Sequence, residues 1–309
     1  HVGTNDRIGR ERRGGEGAYP RPVRELLGEM VAAAVLMQAN IKFNGALVLQ
    51  IHGDGPVKLA VAEVQSDLAF RATATLVGTV PPAAQLEALV NVHGRGRCAI
   101  TLDPRDRLPG QQPYQGIVPL ASGAHGDRRE PMQRVEQVLE HYMLQSEQLD
   151  TRLLLAANDE LAAGLLIQRL PVEGAANLEG RVGAAGRRNE DDIGLSEAFH
   201  RIATLAATLT REELLALPAE RLLHRRFWEE TLRVFEPLSP RFACTCSRER
   251  VRGMLRGLGR EEVDGIVAER GEVEIGCEFC GAKYRFDAVD VGELFTPGVD
   301  QPPGPRGLQ

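Results

Sequence analysis

No apolar run in this chain approaches the roughly 18 residues that a membrane-crossing helix needs, and no signal peptide is visible. The sequence also lacks a Gly-x-Ser-x-Gly elbow, a Walker phosphate loop and a His-Glu-x-x-His pair, and its 7 histidines are scattered without ligand spacing. Gly53-x-Gly55 and Gly94-x-Gly96 are not followed by the rest of a dinucleotide fingerprint, so hairpin turns explain both. Positive charge is not in excess: a net charge of −6 argues against a general phosphate-binding surface. These absences point away from an enzyme, from a membrane and from nucleic acid.

What is present suits a soluble chain of two domains, since 309 residues with 43% apolar side chains can bury a substantial core. Residues 1–18 are polar, rich in Arg and Gly and without periodicity, and are expected to be disordered or a cloning remnant. After Pro20 and Pro22, the apolar residues Leu26, Leu27, Met30, Val31, Ala34 and Met37 recur at helical spacing, which predicts a helix over about 23–40. Alternation at Leu47, Leu49, Ile51 and at Val57, Leu59, Val61, around Gly53-Asp54-Gly55-Pro56, predicts a hairpin. Strands are further expected at 70–77, 98–103, 114–120, 151–157 and 161–170, and a helix at 130–145. The short connections require mostly antiparallel pairing. The fold class expected for 19–172 is therefore α+β, a mostly antiparallel sheet with covering helices. Cys98, alone on its strand, reads as a small core residue.

Between Pro171 and Ser196 five glycines and a run of charges mark a flexible boundary. Beyond it Ser196 can cap one helix, Thr210 and Glu213 have capping-box spacing for a second, and 219–235 reads as a third, apolar on one side and heavily charged on the other. Residues 173–242 thus form a flexible and helical linker. That third helix is either an ordinary surface helix or a metastable clamp that releases when its neighbour unfolds.

Four cysteines organise the C-terminal region, residues 243–295. Cys244 and Cys246 in Cys-Thr-Cys, and Cys277 and Cys280 in Cys-Glu-Phe-Cys, are two close pairs separated by 30 residues. Such spacing predicts one closed tetrahedral Zn²⁺ site with four thiolates and no open coordination position. Use of cysteine in this way suits a reducing cytosol. A disulfide within Cys-x-Cys would need a sharply bent backbone, whereas Cys-x-x-Cys closes readily, so a redox role is conceivable beside an inert zinc staple. Structural zinc is worth roughly 10–16 kcal/mol in small metal domains, while a local disulfide would constrain the unfolded chain by only about 1.5–2 kcal/mol. Exchange of the metal for local disulfides should therefore unfold the region.

Ser247 can cap a helix bearing Arg248, Arg250, Arg252 and Arg256, with another beginning at Glu261 and Glu262. From Cys244 onward there are 12 acidic against 9 basic residues, and Phe279, Tyr284 and Phe286 are the only aromatic candidates for stacking before Phe295, which argues against nucleic-acid binding. The proline-rich tail, 296–309, is expected to be disordered.

Cys244-Thr-Cys246-Ser-Arg-Glu-Arg250, Cys277-Glu-Phe-Cys280-Gly and Tyr284-x-Phe286-x-x-x-Asp290-Val resemble the bacterial redox-regulated 33 kDa heat-shock chaperone family, the 33 kDa chaperonins. Gly53-Asp54-Gly55-Pro56, Tyr114-Gln115-Gly116-Ile117-Val118, Gln145-Ser146-Glu147-Gln148-Leu149 and Leu222-Leu223-His224-Arg225 resemble family segments in the same order. The resemblance spans about 19–295. It implies a cytoplasmic, ATP-independent holdase that is inactive when reduced and zinc-bound. Oxidation would form the disulfides Cys244–Cys246 and Cys277–Cys280, release zinc and unfold the metal domain and linker. It further implies homodimerisation on activation, capture of unfolding client proteins and hand-off to an ATP-driven foldase chaperone. Residues 1–18 depart from the family's N-terminal segment, which supplies an early strand, and Asp150 stands where the family has proline.

Overall fold

The computed structural model describes residues 2–3, 19–107, 110–123, 129–169 and 190–296. The chain divides into two compact units, His1–Ala243 and Cys244–Gln309.

The first unit begins with a two-residue strand, β1 (Val2–Gly3), and a long helix, α1 (Arg21–Asn40). Strands β2 (Gly45–His52), β3 (Val57–Gln65) and β4 (Ala69–Leu76) form an antiparallel meander, whose register pairs Leu49 with Ala62 and Ala62 with Ala72. A short helix, α2 (Leu86–Val90), leads into β5 (Arg97–Pro104), which returns beside β2, and β6 (Tyr114–Pro119) follows on its far side. The hairpin β7 (Ala121–Gly123) and β8 (Arg129–Pro131) precedes helix α3 (Val135–Glu147). Strands β9 (Thr151–Ala157) and β10 (Leu161–Gln168) pair with each other, and β1 pairs with β10.

The fold is α+β with antiparallel pairing dominant, as the pattern of the sequence predicts, but with two layers of sheet around α1. Helix α1 packs against β3 and β4 of the large sheet and against β9 and β10 of the small one. Val23, Leu27, Met30, Val31, Ala33 and Ala34 are fully buried, so the apolar surface extends well beyond one stripe, as a helix enclosed between sheets requires. Close approach is built in at Gly28, where a Cβ atom would lie 2.6 Å from the Ala157 Cβ.

Several boundaries differ from expectation for local reasons. Val2–Gly3 pairs with β10 although residues 1–18 were expected to be disordered, because an open sheet edge recruits backbone and is indifferent to composition. The helix expected from 130 starts at Val135: Pro131 lacks an N–H and disfavours helix before it, while the Gln137 side chain accepts from the Gln133 and Arg134 N–H groups. The expected flexible boundary, together with the glycines at 174, 180, 183 and 186, lies outside the described residues over 170–189, as does the tail from 297. Helix α4 (Glu190–Ala207) already runs through Ser196, so that residue is not its cap; an acidic start such as 190–192 suits a helix N-terminus.

Helix α5 (Arg211–Ala216) starts at the expected capping box, with Thr210 Oγ1 accepting from the Glu213 N–H and the Glu213 carboxylate from the Thr210 N–H. Helix α6 (Ala219–Phe227) ends eight residues before the expected 235. Leu222 and Phe227 are buried, whereas Leu232, Val234 and Phe235 are exposed, and a helix persists where packing supports it. Leu209, Leu214 and Leu222 join Ala156 and Ala163 in a second apolar cluster, so α5 and α6 lie against the β9–β10 sheet. The unit closes with β11 (Arg241–Phe242), parallel to β4, where the Phe242 ring meets Phe70 edge-on at 6.2 Å.

The second unit comprises α7 (Arg248–Leu258), α8 (Arg260–Arg270), the hairpin β12 (Val273–Gly276) with β13 (Lys283–Phe286), and α9 (Ala288–Leu294). Its core is small: Leu255, Val263, Val273, Phe286, Val291 and Leu294.

Candidate metal centre

The second cysteine pair sits at the tip of the β12–β13 hairpin. Beyond Gly276 the ladder gains one more bond, from the Cys277 N–H to the Ala282 carbonyl at 2.8 Å, and the Gly281 N–H donates to the Cys277 carbonyl at 2.8 Å. Gly281 takes φ +69°, a left-handed turn that favours glycine and directs both sulfurs to one side. The first pair immediately precedes α7, where Ser247 Oγ accepts from the Arg250 N–H as the expected cap. Arg250 in turn donates to the Thr245 hydroxyl at 2.7 Å and the Thr245 carbonyl at 3.1 Å, bracing the residue between Cys244 and Cys246.

All four sulfurs, of Cys244, Cys246, Cys277 and Cys280, lie within 4.8 Å of one another. The nearest approaches cross between the pairs, Cys244 to Cys277 at 3.6 Å and Cys246 to Cys280 at 3.3 Å. Zinc–sulfur bonds of about 2.3 Å at tetrahedral angles set sulfurs about 3.8 Å apart, so these four residues fit a single thiolate-bound metal ion. Burial, and after it the neighbouring thiols, push the Cys280 thiol up. Bound metal would favour the thiolate form. Cys98, the fifth cysteine, is buried in the core of the first unit, and burial alone pushes its thiol up to about 12. Its place on β5 is that of the core residue expected.

Two features went unread in the sequence. The Arg side chains of α7 are committed within the unit: Arg248 pairs with Asp290 at 2.8 Å and lies 4.2 Å from the Phe286 ring centroid, and Arg250 holds Thr245. Their spacing after Cys-x-Cys carried that signal. Second, the Tyr284 hydroxyl donates to Cys246 Sγ at 3.1 Å, and the alternation Tyr-x-Phe in β13 already placed Tyr284 and Phe286 on one face.

A mixed α and β domain with a C-terminal cluster of four thiols able to hold a metal ion defines the class of protein. The family model described as "Hsp33 protein" matches residues 11–287. The 33 kDa chaperonin of Chromobacterium violaceum is 46% identical over 282 residues, covering 91% of this chain and 84% of that protein. The 33 kDa chaperonin of Neisseria meningitidis serogroup B is 42% identical, with 91% and 82% covered. The crystal structure of a 33 kDa chaperonin (heat shock protein 33 homolog) from Thermotoga maritima shares the fold, with a TM-score of 0.66 at 20% identity, covering 88% of this chain and 84% of that one. This chain belongs to the Hsp33 family of chaperones.

Proposed function

We propose that the protein is a redox-regulated, ATP-independent holdase, off when reduced and zinc-bound and on when its four cysteines are oxidised. The observation that carries this reading is the convergence of two short-range cysteine pairs on one centre, in a unit whose core holds six buried apolar side chains among the described residues. Cys244, Cys246, Cys277 and Cys280 would hold the zinc, which supplies folding free energy that so small a core lacks. Oxidation to Cys244–Cys246 and Cys277–Cys280 consumes every ligand. Each disulfide takes two electrons from two thiolates, and one hydrogen peroxide with two protons becomes two waters. Loop closure over such short spans returns only about 1.5–2 kcal/mol per bond, so the unit unfolds.

Loss of the metal unit then loosens the linker, whose helices α5 and α6 cover Ala156 and Ala163 through Leu209, Leu214 and Leu222. The apolar surface so uncovered binds unfolding clients and supports a homodimer, and return to reducing conditions passes clients to an ATP-driven foldase in the cytoplasm. Light scattering from a heat-unfolding client tests the reading. Suppression of aggregation by the peroxide-treated protein alone is expected; equal suppression by the reduced, zinc-loaded protein would make it a constitutive chaperone, and none in either state would overturn the holdase.

A further inference from the structure

The Tyr284 hydroxyl lies 3.1 Å from Cys246 Sγ, yet Tyr284 belongs to the hairpin that carries the other pair, Cys277 and Cys280. It is the side chain by which one cysteine-bearing segment grips a sulfur of the other. Its position is fixed from three directions. In the β12–β13 register Tyr284 stands opposite Ile275. Its ring packs against the core around Leu255 and Phe286. The flanking Lys283 and Arg285 turn to the opposite face, where both pair with Glu274 at 2.7 Å.

We infer that Tyr284 is a positioning residue for the thiol chemistry at Cys246: its phenol O–H holds that sulfur in the cluster and slows its attack on peroxide. The inference rests on the redox-switch reading and adds to it a residue that sets how readily one thiolate reacts. Four thiolates around a dication leave two negative charges in excess, and donors in the surrounding shell disperse such charge. Cys280 receives a backbone N–H, from Ala282, whereas Cys246 receives a side-chain O–H that a single substitution removes. In the reaction, the Cys246 sulfur attacks one peroxide oxygen; the S–O bond forms, the O–O bond breaks, and hydroxide leaves and takes up a proton. A partner thiolate then attacks that sulfur, the S–S bond forms, and the second hydroxide leaves and takes up the second proton. A sulfur lone pair engaged by the phenol must first be freed, so the hydrogen bond retards the first step.

The test uses the full-length, zinc-loaded protein and Tyr284→Phe, which keeps the ring and removes one oxygen. After timed peroxide exposure, alkylation and mass spectrometry give the oxidation of Cys246 relative to Cys280 in the same molecule. The ratio is expected to rise several-fold, up to about tenfold, in the variant. In the Co²⁺-substituted protein, the sulfur-to-cobalt charge-transfer band is expected to move to lower energy. Lys283→Gln, on the opposite face of β13, should leave both readouts unchanged. An unchanged ratio and band in Tyr284→Phe, an equal change in Lys283→Gln, or failure of Tyr284→Phe to take up metal would each overturn the inference. If the wild-type protein fails to suppress client aggregation, the switch reading falls while these two readouts still decide the role of Tyr284.

Discussion

Arg211 Nη1 lies 2.7 Å from Glu29 Oε1, tying the first turn of α5 to the central helix α1. The same guanidinium reaches Glu25 Oε2 at 3.6 Å and donates to the Ala157 carbonyl. Glu136 and Glu140 on α3, with Arg134 and Arg152, line the same cavity, whose volume is about 710 Å³. Two carboxylates therefore converge on one cation. Burial pushes the Glu29 carboxyl up to about 7, against the lowering effect of Arg211 and with further upward pushes from Glu136 and Glu25.

That displacement makes the folding stability of the first unit dependent on pH. A carboxyl raised from 4.5 to about 7 on folding contributes stability that is complete below about 4.5 and lost as pH rises through about 7. At about 1.4 kcal/mol per pH unit, the full effect is on the order of 3 kcal/mol. The unfolding free energy of the first unit, measured by chemical denaturation, should be higher at about pH 5.5 than at about pH 8 on this linkage argument. Glu29→Gln should remove the Glu29 share of this pH difference.

Arg211→Ala removes the shared partner and leaves Glu29 and Glu25 facing each other. Truncating one member of a hydrogen-bonded charge pair costs about 1–3 kcal/mol, and the Glu29 carboxyl should climb further. Limited proteolysis should cut the segment around α5 faster in this variant, with metal uptake by the four cysteines unchanged. Unchanged cleavage would show that apolar packing through Leu209, Leu214 and Leu222, and not the Arg211 ion pair, holds the segment.

The capping box at Thr210 and Glu213 offers an independent handle on the same segment. Glu213 accepts from the Thr210 N–H and also pairs with Arg225 at 3.3 Å and Arg226 at 2.5 Å, joining α5 to α6. Thr210→Ala should cost about 1 kcal/mol in linker stability, and Glu213→Ala more, because two arginines lose their partner. Chemical denaturation followed by the fluorescence of Trp228, the single tryptophan, reports both.

Chelation of the metal should unfold the second unit. The six buried apolar side chains among the described residues make a small core for such a segment, so removing a metal held by the four cysteines with a chelator at neutral pH should reduce the helical circular dichroism assigned to α7, α8 and α9. Phe286→Ala, which empties the largest buried position there, should weaken metal binding and cost about 3–5 kcal/mol. A helical signal that survives chelation would count against a metal-dependent fold.

The legible parts of the chain were those governed by local rules. Alternation gave β2 to β6, β9 and β10; spacing gave the four cysteines; and Thr210 and Ser247 announced their helices. What stayed hidden depends on partners distant in sequence. The division of the strands into two sheets around α1 is set by which face each strand buries, and the 37 residues between Cys246 and Tyr284 carry no periodic trace of their hydrogen bond. Arg211 and Glu29, 182 residues apart, looked like ordinary surface charges. The end of α6 was missed because the apolar residues after Phe227 kept a helical rhythm with nothing to bury against.

Strand β11 gives the six-stranded sheet an unusually economical border. Two residues, Arg241 and Phe242, are bonded along β4, and the Ala243 N–H adds one further bond to the Phe70 carbonyl. Parallel pairing here does not prolong the meander; it covers the first two residues of β4, whose amides and carbonyls would otherwise face any extended chain. The cover on that end of the sheet's edge is therefore a dipeptide, separated by a single alanine from the first cysteine of the cluster.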